Sequence, residues 1–266
     1  MALFHGFIYD VILLFFIVFI HELGHACTAK AFGWRVRKIE ILPFGGVASV
    51  DEHGNRPMKE EFLVVVAGPM MNVIMILFAL GCSYLGYWQE SFALQFIEYN
   101  LIIFLFNLLP IWPLDGGKML QLGLSMVLPF RKAIRYSLLV SGVCFFVYLI
   151  IIALFFTYYF YLWIVGGFLL ISQWLEWKQA HYQFMRFLID RKQSQEAVEA
   201  LEVLGITGTT NQLVYDLVLQ MFRHKLHYFC ILNERGEMEY VIHEHELLHQ
   251  YFEEKKAYCT VGHTFG

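Results

Sequence analysis

The chain has 266 residues, is 58% hydrophobic and 16% charged, and carries a net charge of −4. A soluble core of this size cannot bury so much apolar surface, so a bilayer is the expected solvent. The absence of a basic stripe with interleaved aromatics excludes nucleic acid as a partner. Five scattered cysteines, never spaced Cys-x-x-Cys, exclude a disulfide framework or a cysteine zinc site.

The first apolar stretch runs from about Phe7 to Ala31. It lacks a basic leader and ends in "HELGHA", so it reads as a spanning helix and not as a cleavable signal. His21 and His25 fall one helical turn apart on one face, roots about 6 Å apart. That spacing suits two ligands of one zinc ion, and Glu22 is placed to hold and deprotonate an attacking water. Gly24 and Ala26 are small enough for a second helix to approach closely. His-Glu-x-x-His is a short pattern and recurs here as "HELLH" at 245–249. Depth separates the two copies: an unpaired carboxylate in the first costs at least about 2.5–3.5 kcal/mol.

Segment 37–54 alternates enough to form a short hairpin whose edge can accept an extended strand. A second apolar stretch, about 62–88, contains "AGPMMN". Ala67 and Gly68 read there as close helix packing and Asn72 as a polar group able to line a site. The third, about 92–109, continues into "NLLPIWPLDGG". Pro110 and Pro113 break the helix, and Gly116 and Gly117 let the backbone turn sharply. Irregular backbone at membrane depth survives only where it lines a cavity or packs on protein. Asp115 therefore reads as the third metal ligand in preference to a helix N-cap.

The fourth and fifth stretches share the run from Tyr136 to Trp177, twice the roughly 20 residues of one span, and turn at "TYYFY". All 19 lysines and arginines fall in 30–59, in 118–135 or from 178 onward. The positive-inside rule puts those segments and the C-terminus in the cytoplasm and the N-terminus outside.

From Lys178 the chain becomes charged and keeps a helical period to about Gly205. Beyond it, 227–252 reads strand, turn, strand, helix, with the turn at Asn233–Gly236. "HELLH" opens that last helix, with Leu247, Leu248, Tyr251 and Phe252 as its apolar stripe. His243, Glu244, His245, Glu246 and His249 form a solvated face, so the second copy reads as coincidence. His227 and Tyr228 are candidates for nucleotide contact. The expected architecture is an α-helical polytopic membrane protein with a small cytoplasmic α/β C-terminal domain. The membrane domain spans 1–177 in about five transmembrane helices, a linker helix 178–200, and the C-terminal domain 201–266.

His21-Glu22-x-x-His25 with Pro113-Leu-Asp115-Gly resembles the site-2 protease family of intramembrane zinc metalloproteases. "LPFGG" at 42–46, "EHGNRPMKEEF" at 52–62, "AGP" at 67–69 and "NLLPIWPLDGGK" at 107–118 resemble its sporulation branch. The resemblance implies one zinc ion per chain on His21, His25 and Asp115, Glu22 as general base, and Asn107 placing substrate or oxyanion. It implies a zinc metalloendopeptidase whose substrate is a membrane-associated pro-sigma factor, with membrane-bound inhibitory partners. The C-terminal domain resembles a single CBS unit, which implies ATP as a ligand and a homo-oligomer that completes its cleft. Relatives in that branch have six spans, so the chain reads as beginning about one span late. Two other classes use the same ligands: a membrane metal-transport or metal-sensing protein, and a catalytically dead binder that sequesters substrates. The former gives Glu22 no role.

Overall fold

The computed structural model describes residues 2–34, 36–42, 45–50, 56–193, 202–233, 235–254 and 256–265. It is mostly helical. Helix α1 (Ala2–Ala31) leads into a hairpin of β1 (Val36–Leu42) and β2 (Gly45–Val50), then α2 (Met58–Tyr84), α3 (Glu90–Asn107), α4 (Asp115–Val127), α5 (Phe130–Phe155) and α6 (Phe160–Gln193). The C-terminal part holds β3 (Glu202–Thr209), α7 (Val214–Val218), β4 (Lys225–Leu232), β5 (Met238–His243), α8 (Glu244–Phe252) and α9 (Val261–Phe265).

Three helices are long and apolar enough to cross a membrane: Ile8–Ala31 of α1, α2 and α5, with 24, 27 and 26 residues. At 1.5 Å per residue each exceeds the roughly 30 Å hydrocarbon core. They expose Phe15, Phe16, Leu77, Phe78 and Phe146, as lipid-facing helices do. The other two expected stretches are also helical, as α3 and α6. Both fall outside this set: α3 carries Glu90, Gln95, Glu98 and Asn100, and α6 turns polar beyond Ile171. The fifth stretch and the linker as far as Gln193 are a single helix of 34 residues, and residues 194–200 of the linker lie outside the described residues.

The chain forms two compact units. One joins the residues up to Leu120 with Leu138–Glu176, the other joins Gln121–Ser137 with the residues from Trp177 onward. In the first, α1 and α2 run antiparallel, and Leu13, Ile17, Met75, Ala79 and Phe96 form a core between α1, α2 and α3. Ala29, Trp34 and Val64 pack at the other end of α1, and the Trp34 indole donates to Glu60 Oε2 at 2.8 Å. The expected hairpin is present, antiparallel from Val36↔Val50 to Leu42↔Gly45 with a bulge near Lys38. Residues 51–55 of that segment lie outside the described residues.

In the second unit the sheet order is β3-β4-β5, with β3 parallel to β4 and β5 antiparallel. Strand β3 begins where the helical period seemed to continue. Val203, Ile206, Thr207 and Thr209 favour extended backbone, and eight cross-strand pairs to β4 fix it. The turn falls as expected, with Gly236 at φ 79°.

Two expectations for this unit are corrected. Glu244 is 3% exposed, not solvated. Its Oε1 accepts from Arg191 Nε at 2.5 Å, and its Oε2 accepts from the His227 amide at 3.0 Å and from His227 Nδ1 at 2.7 Å. His227 is fully buried, and its Nε2 accepts the Phe222 amide at 2.9 Å. Both ring nitrogens are engaged, so His227 offers nothing to a nucleotide.

Candidate metal centre

Helix α1 presents His21 and His25 on one face, and α4 brings Asp115 to meet them. Asp115 Oδ2 lies 3.1 Å from His21 Nε2 and 3.0 Å from His25 Nε2, and the two imidazole nitrogens are 3.2 Å apart. All three residues are buried, at 2%, 7% and 3% exposure for His21, His25 and Asp115. The edges of this triangle are close to the roughly 3.3 Å between ligands of a tetrahedral zinc with bonds of 2.0–2.1 Å.

The far nitrogens decide what the triangle can hold. His25 Nδ1 lies 2.7 Å from the Val64 carbonyl, an obligate acceptor, so Nδ1 carries the proton. His21 Nδ1 lies 2.7 Å from Asn72 Oδ1, and the Asn72 amide donates to the Asn100 carbonyl at 3.2 Å, which fixes its orientation. With the far nitrogens so engaged, Nε2 of His21 and Nε2 of His25 are the atoms left to face each other and a carboxylate oxygen. A cation bound between these three atoms would satisfy all of them in a buried site. The donor set, two imidazoles and a carboxylate, suits zinc.

Helix α2 is shaped for this contact. Pro69 has no N–H for the Val65 carbonyl, and the adjacent Val64 carbonyl is the one that takes the His25 proton. A Cβ at Gly68 would overlap His25 Nε2 and lie 2.7 Å from His21 Nε2. One at Gly24 would lie 2.7 Å from the Ala67 carbonyl, so the expected close approach of a second helix is present. Gly68 does more than the expected helix packing, because its missing side chain is the space the imidazoles occupy. Asn72 lines the site as the partner of a histidine.

Glu22 is buried at 7% exposure. His21, Glu22 and His25 form the close-set group of metal-ligating side chains among the described residues, with ligand atoms within 4.8 Å of one another. Asp115 Oδ2 also lies within that distance of both imidazoles, at 3.1 and 3.0 Å. Lys118 Nζ holds the other Asp115 oxygen, Oδ1, at 3.1 Å. Cys27 is exposed and takes no part.

Between α3 and α4 the two prolines stop the helix, and the Trp112–Pro113 peptide is cis. Asp115 opens α4, where a Cβ at Gly116 would overlap the Leu108 and Leu109 carbonyls. The expected irregular backbone packs on protein: Ile111 and Leu114 join Phe145 and Leu169 in a buried cluster. Asn107 ends α3, and its amide donates to Ile103 O at 3.0 Å, using one of two amide hydrogens.

The "HELLH" copy lies on α8, with Leu247 and Leu248 buried and His245 and Glu246 exposed. His249 Nε2 pairs with Glu253 Oε2 at 2.7 Å, and no third ligand converges on it among the described residues. The sequence reading missed the Val64 carbonyl and the depth of Asn72's involvement. Asn72 was visible as a polar residue in an apolar run, whereas a backbone acceptor leaves no mark in the sequence.

Residues 9–96 and 85–154 match the model of Peptidase family M50. The chain is 39% identical over 258 residues to stage IV sporulation protein FB of Bacillus subtilis, covering 97% of this chain and 88% of that protein. It is 34% identical over 131 residues to a zinc metalloprotease of Methanocaldococcus jannaschii, covering 47% of this chain and 37% of that one. The solved structure of a site-2 protease from Methanocaldococcus jannaschii superposes with a TM-score of 0.50 at 28% identity, over 62% of this chain and 76% of that one. Identity at this level along nearly the whole chain is evidence of common descent, and the chain belongs to peptidase family M50, the site-2 proteases.

Proposed function

We propose that this membrane metalloprotease holds one zinc ion on His21, His25 and Asp115 and hydrolyses a peptide bond of a membrane-associated pro-protein. The convergence of two Nε2 atoms and a carboxylate oxygen within 3.2 Å carries this reading. Zinc, when bound, supplies a Lewis acid that acidifies water and polarises a carbonyl. Glu22 orients the attacking water, accepts its proton and returns it to the leaving amine. Asn107 keeps an amide hydrogen and its oxygen for the substrate or the developing oxyanion. A metal-transport or metal-sensing site would have no use for a buried carboxylate set beside the ligands as Glu22 is.

A helical substrate hides its peptide bonds, so it must be extended where it is cut. The β1–β2 hairpin offers an edge for it to pair with, and water enters by the broken helix at 107–117. The resemblance to the sporulation branch supports a pro-sigma factor as substrate and membrane-bound inhibitors as partners. In that setting residues 1–177 form the membrane domain with spans beyond the three apolar helices, 178–200 the linker, and 201–266 a cytoplasmic domain on the mother-cell side. Its order β-α-β-β-α, parallel then antiparallel, supports a CBS-like unit that takes ATP and completes its cleft in a homo-oligomer.

Co-expression with a candidate pro-sigma factor tests the assignment. Glu22→Gln should keep zinc and lower cleavage by roughly 10²–10⁴-fold, while Glu246→Gln leaves cleavage unchanged. Undiminished cleavage by Glu22→Gln would falsify the protease mechanism.

A further inference from the structure

The segment that delivers Asp115 is irregular backbone in an apolar setting, so each of its N–H groups needs a named acceptor. Leu108 and Leu109 bond back to α3, Ile111 to Leu109 O at 2.7 Å, and Leu114 to Ile111 O at 2.8 Å. Pro110 and Pro113 have no N–H. Trp112 differs: its amide leaves the segment and donates to Ser141 Oγ on α5 at 2.8 Å. The same oxygen accepts Gln173 Nε2 from α6 at 2.5 Å, so both of its lone pairs are in use.

The surroundings make this bond consequential. Ser141 is fully buried. Phe145 lies one turn beyond Ser141, Leu169 one turn before Gln173, and both pack on Ile111 and Leu114. A Cβ at Gly117 would lie 2.9 Å from the Trp112 nitrogen and from the Ile111 carbonyl carbon. The first turn of α4 thus rests directly on the peptide that Ser141 holds, and Asp115 is two residues from that contact. A shift at Trp112 cannot be absorbed without moving Asp115.

We propose that Ser141 and Gln173 are positioning residues for Asp115, acting through the Trp112 amide. This rests on Asp115 being a metal ligand. Neither residue touches the triangle of donors. Gln173 orients Ser141, Ser141 pins the broken segment, and the segment sets where the Asp115 carboxylate meets the two imidazoles.

The test uses the full chain purified in detergent, zinc affinity by chelator competition, and the visible absorption of the cobalt(II)-loaded protein, which reports ligand geometry. Ser141→Ala should weaken zinc binding about ten-fold, the low end for groups that hold metal ligands, and shift the cobalt bands. Gln173→Leu should act in the same direction, and the double variant should bind no worse than Ser141→Ala, because the two act in series. Ser141→Thr, which keeps the oxygen, should recover affinity. Ile152→Ala, which removes a buried side chain of α5 away from the broken segment, should lower thermal stability and leave zinc affinity unchanged. Wild-type affinity and bands in both Ser141→Ala and Gln173→Leu overturn the proposal, as does an equal loss of affinity in Ile152→Ala. If Ser141→Ala does not fold, Gln173→Leu decides alone. Asp115→Ala separates the two levels: unchanged affinity there removes the ligand assignment itself, whereas lost affinity there with intact Ser141→Ala removes only the positioning role.

Discussion

His21 and His25 are alike in the sequence but are secured differently. The Val64 carbonyl takes the His25 proton, and the Asn72 side chain takes the His21 proton. Asn72→Leu removes the acceptor and leaves a buried N–H unpaired, so zinc affinity should fall by roughly 10–100-fold, measured by chelator competition, with the chain still folded. Gly68→Ala should be more severe. Its methyl would occupy the position of His25 Nε2, and metal analysis of the purified variant should show zinc lost along with cleavage. The three residues of the triangle were legible because helical spacing and proline breaks are local signals. Gly68 was legible as a small residue, but its task depends on an antiparallel neighbour 43 positions away that no local pattern encodes.

At the scale of elements, long apolar helices are read easily and their pairings are not. A hairpin within 37–54 was legible from its alternation. β3 was not, because "EVLG" continues a charged helical period, and only the parallel pairing to β4 makes it a strand. The same limit hid the Glu244 cluster: next to "HELLH" a glutamate reads as solvated surface, and its donors come from α6 and β4. The hairpin has a separate test. Proline placed in turn at positions 47 to 50 removes one edge N–H at a time. Cleavage should fall at alternate positions, those whose N–H faces outward, while zinc content stays constant. Equal cleavage at all four would exclude strand pairing with the substrate.

On the scale of the whole molecule, the two units answer to different chemistry, and acid should separate them. Burial alone would raise the Glu244 carboxyl, but the His227 hydrogen bond and the Arg191 guanidinium outweigh it and hold it below its ordinary value of 4.5. A carboxyl depressed in the folded state contributes stability that is complete above its unfolded value and lost as pH falls through the folded one. The second unit should therefore lose stability below about pH 4.5, followed by circular dichroism melts. Glu244→Gln should flatten that acid limb and cost about 3 kcal/mol at neutral pH by leaving Arg191 unpaired.

The second unit also contains Phe130, 2% exposed, whose amide donates to Met221 O at 2.9 Å and whose ring packs on Phe187 and under the Arg223 guanidinium. Gln121–Ser137 precedes α6 in the chain yet supplies this part of the core. A fragment cut at residue 178 would keep the sheet but leave a hole where Phe130 sat. The C-terminal end of this protease is thus not a cassette that can be excised, swapped or gained by fusion at one point. Any exchange of it between relatives has to carry two separated pieces of chain together.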